Sequence, residues 1–126
     1  MYSQQLLNRF LSPTHSGEVP GADGLGIQGN LTCGDVVHLA IRLDRGRVAE
    51  AKFLARGCAI AIAASDATCE LLRGATLTSA QVLSASDIVQ VIGEVAEDRL
   101  SCVEIALNAL REALEQVRSG LTSGTA

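Results

Sequence analysis

Apolar and polar residues alternate along two neighbouring stretches near the middle of the chain. In "VVHLAIRL" every second residue from Val37 to Leu43 is apolar, and this period is typical of a half-buried strand. The turn "DRGR" follows, and its glycine can adopt a positive φ. Residues 48–55 then return as a second strand, so the pattern predicts an antiparallel hairpin.

Helical periods predict one helix before this hairpin and one after it. Residues 3–11 carry an apolar face that Ser3 can cap and that Pro13 ends. The alanine-rich stretch 59–73 predicts a helix that ends at Gly74. Small side chains on this second helix permit close packing against the sheet.

Three further helices are predicted in the second half of the chain. Two are short, 78–83, opened by Thr78, and 87–92. In the last helix, Ser101 and Glu104 have the spacing of a capping box, and apolar residues recur behind them at helical intervals.

The remaining segments indicate how the chain is organised. Residues 13–32 are rich in glycine and predict a flexible loop that leads directly to Cys33. Residues 119–126 predict a disordered tail. Because no internal repeat or composition shift divides the 126 residues, we expect a single domain over 1–126.

Composition excludes several classes of partner. The hydrophobic share of 48% and the charged share of 19% are those of a globular protein. Tyr2, Phe10 and Phe53 are the three aromatic residues, and the net charge is -4, so neither base stacking nor a basic patch favours nucleic-acid binding. The sequence shows no signal peptide and no apolar run long enough to span a membrane. We therefore expect a cytoplasmic protein.

Three of the four cysteines fall at the edges of predicted elements. Cys33 precedes the first hairpin strand, while Cys58 and Cys102 lie at helix starts, where the helix dipole favours a thiolate. Cys69 follows Cys58 by three helical turns, too far to share an ion with it, and predicts a buried apolar thiol.

Asp35 adds a carboxylate two residues after Cys33. Three thiolates and one carboxylate make the four ligands of a tetrahedral zinc or iron centre. Spacing alone does not show that these residues converge. Core thiols, or one reactive cysteine, therefore stay open as alternatives.

Longer motifs identify a family resemblance. The stretches "CGD" before a strand, "RGCAIAIAAS" opening a helix and "SC" opening the last helix resemble the IscU/NifU N-terminal family. "YSQQLLNRFLSP", "AEAKFLARGC" and "LLRGATLTSAQVL" extend the resemblance over nearly the whole chain. It implies an α+β fold of the IscU/SufE type: a small, mainly antiparallel three-stranded sheet, helices packed on one side and a long C-terminal helix. The third strand would lie before Cys33, where the local pattern predicts a loop.

The resemblance also implies a function, that of a scaffold for assembly and transfer of a transient [2Fe–2S] cluster. By position, Cys33, Asp35, Cys58 and Cys102 would hold the cluster, and Fe²⁺ or Zn²⁺ before it. A cysteine desulfurase would supply sulfur, with Cys102 as persulfide acceptor and Cys33 as the other candidate. Apo iron–sulfur proteins would receive the cluster. Such a protein is a carrier rather than an enzyme.

This chain departs from IscU in two places, which bear on the branch of the family that it resembles. Ser101 stands where IscU has a histidine, and "GEVAEDRL" replaces the Leu-Pro-Pro-Val-Lys segment, so a dedicated Hsp70 chaperone is not expected. Loss of the histidine resembles SufU, a zinc-binding sulfur acceptor, which is the alternative function. SufU, however, has an insertion for which 74–101 leaves no room.

The other polar candidates receive structural interpretations. His38 lies on the strand face opposite the ligand aspartate, and His15 lies in the predicted loop. Asp66 is expected to be solvated or packed against a helix. Lys52 and Arg56 flank the approach to Cys58 and are expected to be exposed, with assistance to the thiolate as the alternative.

Overall fold

The structure is a computed structural model that describes residues 2–30 and 34–124. The elements follow one another as α1 (Gln4–Leu11), β1 (Gly24–Asn30), β2 (Asp35–Asp44), β3 (Arg47–Arg56), α2 (Ala59–Leu72), α3 (Leu77–Gln81), α4 (Ala85–Ile92) and α5 (Leu100–Gly124). A 3-10 turn, Glu97–Arg99, leads directly into α5. The strands form one antiparallel sheet in the order β1-β2-β3. The expected α+β fold with a long C-terminal helix is confirmed.

The hairpin follows the alternation of the sequence. Val37, Leu39 and Ile41 on β2 are fully buried and face the helices, together with their cross-strand partners on β3. The connecting turn consists of Arg45 and Gly46, both with positive φ (54° and 77°). This is the geometry of a type I′ turn, whose twist suits a two-residue hairpin.

The loop predicted over 13–32 is wrong for Gly24–Asn30, which form strand β1 and pair with β2. The resemblance to the scaffold family placed a strand here, whereas the pattern did not. Two of its three glycines, Gly24 and Gly26, occupy positions that face the core, so the usual apolar alternation is missing.

Two of these glycines let α5 lie directly against the sheet. A Cβ atom on Gly24 would overlap the backbone carbonyl of Ala113, and one on Gly26 would overlap that of Ala109. Two residues along a strand and four along a helix both advance the chain by about 6 to 7 Å. The antiparallel match between β1 and α5 therefore continues, and it brings the start of α5 to the end of β1.

The antiparallel packing of α5 along β1 also provides hydrogen-bond acceptors for the backbone N–H groups on the free edge of β1. The backbone N–H of Leu25 donates to the side-chain oxygen of Gln116, and that of Ile27 donates to Glu112. An uncovered strand edge would present these donors to other chains. Helix α5 thus covers both the inner face and the outer edge of β1.

Helix α2 is the central helix of the domain. It packs against β3 on one side and against α1, α4 and α5 on the others. Its alanines make this possible because they bring no bulk between the elements, and Ala61, Ala63, Ala64 and Ala67 are fully buried. Cys69 is buried among them as predicted, and burial raises the pKa of its thiol.

A buried carboxylate fastens the N-terminal segment to α2. Asp66 is 1% exposed and accepts hydrogen bonds from Arg9 at 2.8 Å and from the backbone N–H groups of Thr14 and His15 at 2.9 and 2.8 Å. Of the two expectations for Asp66, packing is therefore the correct one. Satisfaction of its lone pairs offsets the cost of burying its charge.

Two capping residues differ from the prediction. Thr76, not Thr78, caps α3, and its hydroxyl accepts from the N–H of Ser79. Helix α4 begins earlier than predicted, because Ser84 and Asp87 form a reciprocal capping box.

Both ends of α5 also differ from the prediction. Ser101 is exposed and already lies inside the helix, which begins at Leu100 and continues the preceding 3-10 turn, so its predicted capping box with Glu104 is wrong. The tail predicted as disordered over 119–126 is helical as far as Gly124. Once a helix is nucleated, each further residue adds a hydrogen bond at low cost. No helix among the described residues has the length and apolarity needed to cross a membrane.

We expect Gly26→Ala to lower the free energy of unfolding by at least about 3 kcal/mol, because the new methyl group must displace the backbone of α5. Urea denaturation followed by circular dichroism measures this change. Gly46→Ala is the control, since its Cβ meets open space and the substitution costs only the strain of a positive φ, about 1 kcal/mol. Equal losses in the two variants would contradict the close approach of α5 to β1.

Candidate metal centre

Three side chains with metal-ligating atoms converge where β2 begins and where α2 and α5 start. Asp35 is the first residue of β2, Cys58 precedes α2 and Cys102 lies in the first turn of α5. Their ligand atoms all lie within 4.8 Å of one another. This is close enough for one ion to contact all three after small side-chain movements.

Gly57 brings Asp35 and Cys58 together. Strand β3 ends at Arg56, and Gly57 turns the chain with a φ of +138°. A Cβ atom at this position would overlap the Asp35 carboxylate. The carboxylate instead accepts the backbone N–H of Cys58 at 2.7 Å and the thiol of Cys58 at 3.3 Å.

Cys58 is the N-cap residue of α2. Its sulfur accepts the backbone N–H of Ala61 at 3.4 Å, and this bond lowers the thiol pKa. Desolvation by burial is the larger effect, and proximity to Cys102 and Asp35 acts in the same direction, so the pKa of Cys58 is raised. The start of α2 thus lowers the pKa of Cys58 as expected, but burial outweighs this effect and leaves the thiol protonated. A bound divalent cation would reverse the balance, because the thiols lose their protons on coordination.

Cys102 completes the described part of the group. Its side chain is 1% exposed, whereas Cys58 is half-buried. Two sulfur ligands and one carboxylate oxygen suit zinc or iron rather than calcium or magnesium. Cys33, the fourth predicted ligand, lies outside the described residues, so its place in the site stays a prediction.

A cation that the sequence analysis missed lies beside the two thiols. Proximity to the sulfurs of Cys102 and Cys58 raises the pKa of Arg99. Arg99 ends the 3-10 turn three residues before Cys102. Residues three apart on a helix share one face, and this spacing was the signal in the sequence that could have identified Arg99.

The other polar candidates lie elsewhere. His38 and Lys52 line a groove on the open face of the sheet, opposite the inner face. His15 is held by its backbone between Asp66 and Phe53. Arg56 is exposed and lines a second groove on the same open face. Among the described residues, neither histidine belongs to the group of metal-ligating atoms.

Comparisons with known proteins place this geometry in context. The family described as the NifU-like N-terminal domain matches residues 1–120. "Iron-sulfur cluster assembly scaffold protein IscU 1" of Archaeoglobus fulgidus is 32% identical over 114 residues, which are 90% of this chain and 74% of that protein. "Nitrogen fixation protein NifU" of Cereibacter sphaeroides is 37% identical over 108 residues, 86% of this chain and 44% of NifU.

Solved structures share the fold. The N-terminal part of a NifU-like protein from Brucella abortus superposes with a TM-score of 0.76 at 15% identity, over 93% of this chain and 94% of that one. A protein from Fervidobacterium islandicum, described as an iron–sulfur cluster assembly scaffold for the SUF system, superposes with a TM-score of 0.73 at 23% identity, over 90% and 96%. The sheet and the long last helix are thus the architecture of known proteins.

We expect Gly57→Ala to lower zinc affinity by about tenfold, because the new methyl group pushes the Asp35 carboxylate away from Cys58. Competition with a chromophoric chelator measures the affinity. Gly74→Ala is the matched control, since Gly74 also has a positive φ but lies at the other end of α2 in open space. If both variants bind zinc as the parent protein does, Asp35 does not contribute to the metal site.

Proposed function

Because the chain belongs to the family of NifU-like N-terminal domains, we propose that it is a scaffold on which iron–sulfur clusters are assembled and from which they are transferred. The observation that carries this proposal is the group formed by Asp35, Cys58 and Cys102, whose ligand atoms lie within 4.8 Å of one another. The scaffold name of the IscU relative, which this chain matches over 90% of its length, supports the same function.

The proposed cargo is a [2Fe–2S] cluster held by Cys33, Asp35, Cys58 and Cys102, with Fe²⁺ or Zn²⁺ at the site before the cluster forms. Soft thiolates bind the irons firmly. The Asp35 carboxylate is a harder oxygen ligand, so it is the one that an incoming thiol displaces most readily. A site of this composition can hold a cluster and still release it.

The proposed source of sulfur is a cysteine desulfurase that carries a persulfide. A scaffold thiolate attacks the terminal sulfur of that persulfide, a new S–S bond forms on the scaffold, and the desulfurase cysteine leaves as a thiolate. Cys102 is our candidate acceptor and Cys33 is the other. Cys102 is 1% exposed, so the chain around it must open for a direct attack.

The cluster then passes to apo iron–sulfur proteins by ligand exchange. The scaffold makes and breaks bonds to its own cargo and converts no small-molecule substrate into a released product. We therefore assign it as a carrier rather than as an enzyme.

Anaerobic reconstitution with Fe²⁺, cysteine and a cysteine desulfurase tests the proposal. We expect a coloured protein with thiolate-to-iron charge-transfer absorption and with equal amounts of bound iron and sulfide. Cys58→Ala should abolish the colour, because it removes a cluster ligand. Cys69→Ala is the control and should retain it, since Cys69 is buried within α2 away from the group.

A colourless protein that retains zinc under these conditions would contradict the scaffold function. Ser101 in place of the IscU histidine supports this alternative, a zinc-dependent acceptor that relays sulfur from the desulfurase. Mass spectrometry would then show persulfide on one of the thiols.

Asp35→Ala should lengthen the lifetime of the reconstituted cluster several-fold in the presence of glutathione, because it removes the ligand that exchanges most readily and spares the three thiolates. Decay of the visible absorption measures the lifetime. Asp44→Ala is the control, since Asp44 is an exposed carboxylate at the other end of β2. An unchanged lifetime in Asp35→Ala would exclude Asp35 as the labile ligand.

A further inference from the structure

The described ligands of the candidate metal centre differ in how far solvent reaches them. Asp35 and Cys102 are each 1% exposed, whereas Cys58 is half-buried. Gly57, which precedes Cys58, is exposed and carries no side chain, so the backbone next to this sulfur lies open to a second molecule. Among the described ligands, Cys58 is therefore the one that a sulfur donor outside the protein can reach without movement of the chain.

The buried sulfur of Cys102 is within reach of Cys58. The two sulfurs are among the ligand atoms that lie within 4.8 Å of one another. A persulfide adds one sulfur atom at a bond length of about 2 Å, so the terminal sulfur of a persulfide on Cys58 can come into contact with the sulfur of Cys102. Exchange between groups held this close is much faster than exchange between separate molecules. Sulfur bound at Cys58 thus has an internal route to the buried thiol.

We propose that Cys58 is a catalytic residue that receives sulfur from the donor and passes it on to Cys102. This inference rests on the proposed function, because it names the first acceptor in the sulfur transfer. The relay also removes the need for the chain around Cys102 to open, since the donor itself stays outside the protein and only one sulfur atom moves inwards.

Each step of the relay is a thiol–persulfide exchange. The Cys58 thiolate attacks the terminal sulfur of the donor persulfide, a new S–S bond forms on Cys58, and the donor cysteine leaves as a thiolate with the electron pair of the broken bond. The Cys102 thiolate then attacks that same terminal sulfur, and Cys58 leaves as a thiolate. Each departing thiolate takes up the proton that the attacking thiol has given up. The relay therefore needs no oxidant or reductant and regenerates the Cys58 thiol.

A serine at position 58 separates this chemical role from a structural one. The sulfur of Cys58 caps α2 by accepting the backbone N–H of Ala61 at 3.4 Å. A serine hydroxyl can make the same cap, and serine is among the preferred N-cap residues, but it cannot carry a persulfide. Cys58→Ser should therefore fold and lose the relay. Cys69→Ala is the control, because Cys69 is a buried thiol of α2 outside the group of ligand atoms.

The test follows the position of the transferred sulfur with time in the metal-free protein. Glutathione persulfide is the small donor, and a cysteine desulfurase supplied with cysteine is the protein donor. Samples are quenched by alkylation, and peptide mapping by mass spectrometry locates the persulfide. We expect persulfide on Cys58 to appear first and to decline as persulfide on Cys102 increases. In Cys102→Ser it should accumulate on Cys58.

In Cys58→Ser, persulfide on Cys102 should form at least about tenfold more slowly than in the parent protein, whereas Cys69→Ala should leave the rate unchanged. Circular dichroism and an unchanged rate of alkylation of Cys102 by iodoacetamide establish that Cys58→Ser retains the fold and the access to Cys102.

Three results would overturn the proposal. The first is persulfide on Cys102 at the parental rate in Cys58→Ser. The second is persulfide that appears on Cys33 or Cys102 before Cys58 in the parent protein. The third is release of free sulfide together with a disulfide between Cys58 and Cys102, because Cys102 would then attack the inner sulfur of the persulfide and not its terminal sulfur.

The small donor keeps this test independent of cluster assembly. If glutathione persulfide shows the relay while the desulfurase transfers no sulfur and no cluster forms, the relay stands and the scaffold function fails. If the wild-type protein assembles a cluster while Cys102 receives sulfur at the parental rate in Cys58→Ser, the scaffold function stands and the relay is refuted.

Discussion

The contact between the glycines of β1 and the backbone of α5 is the constraint on which the rest of the structure depends. Gly24 and Gly26 have no side chains, so the carbonyls of Ala113 and Ala109 can lie directly against the strand. Because two strand residues match four helical residues in length, this contact also fixes the register of α5. The N-terminal turn of α5, which carries Cys102, is thereby brought to the end of the sheet where Asn30 pairs with Asp35.

Asp35 links this architecture to the chemistry of the site. Its carboxylate accepts the backbone N–H of Cys58 at 2.7 Å and is also one of the atoms that could bind a metal. The burial that shapes the site favours protonated sulfur at Cys58. A cation bound here would displace that proton, so its affinity would depend on pH. Asp35 thus positions the start of α2 and also offers an oxygen to the group of metal-ligating atoms.

Arg99 brings a positive charge near the two thiols. At Cys58 itself, burial opposes the thiolate and the hydrogen bond from the N–H of Ala61 favours it, and burial is the larger effect. Ser101, where the IscU branch has a histidine, is exposed and inside α5, so it does not cap the helix.

The sequence by itself determined the hairpin, the alanine-rich helix and the long last helix, because period-two and helical patterns of apolar residues are local properties of the chain. It also supplied the candidate ligands, through their positions at element starts and through the family resemblance. The pattern did not predict strand β1, since two of its core-facing positions, Gly24 and Gly26, are glycines that contact α5. Only the tertiary structure decided that Asp35, Cys58 and Cys102 meet and that burial outweighs the helix start at Cys58. Each of these depends on elements far apart in sequence, and residue spacing carries no information about such distances.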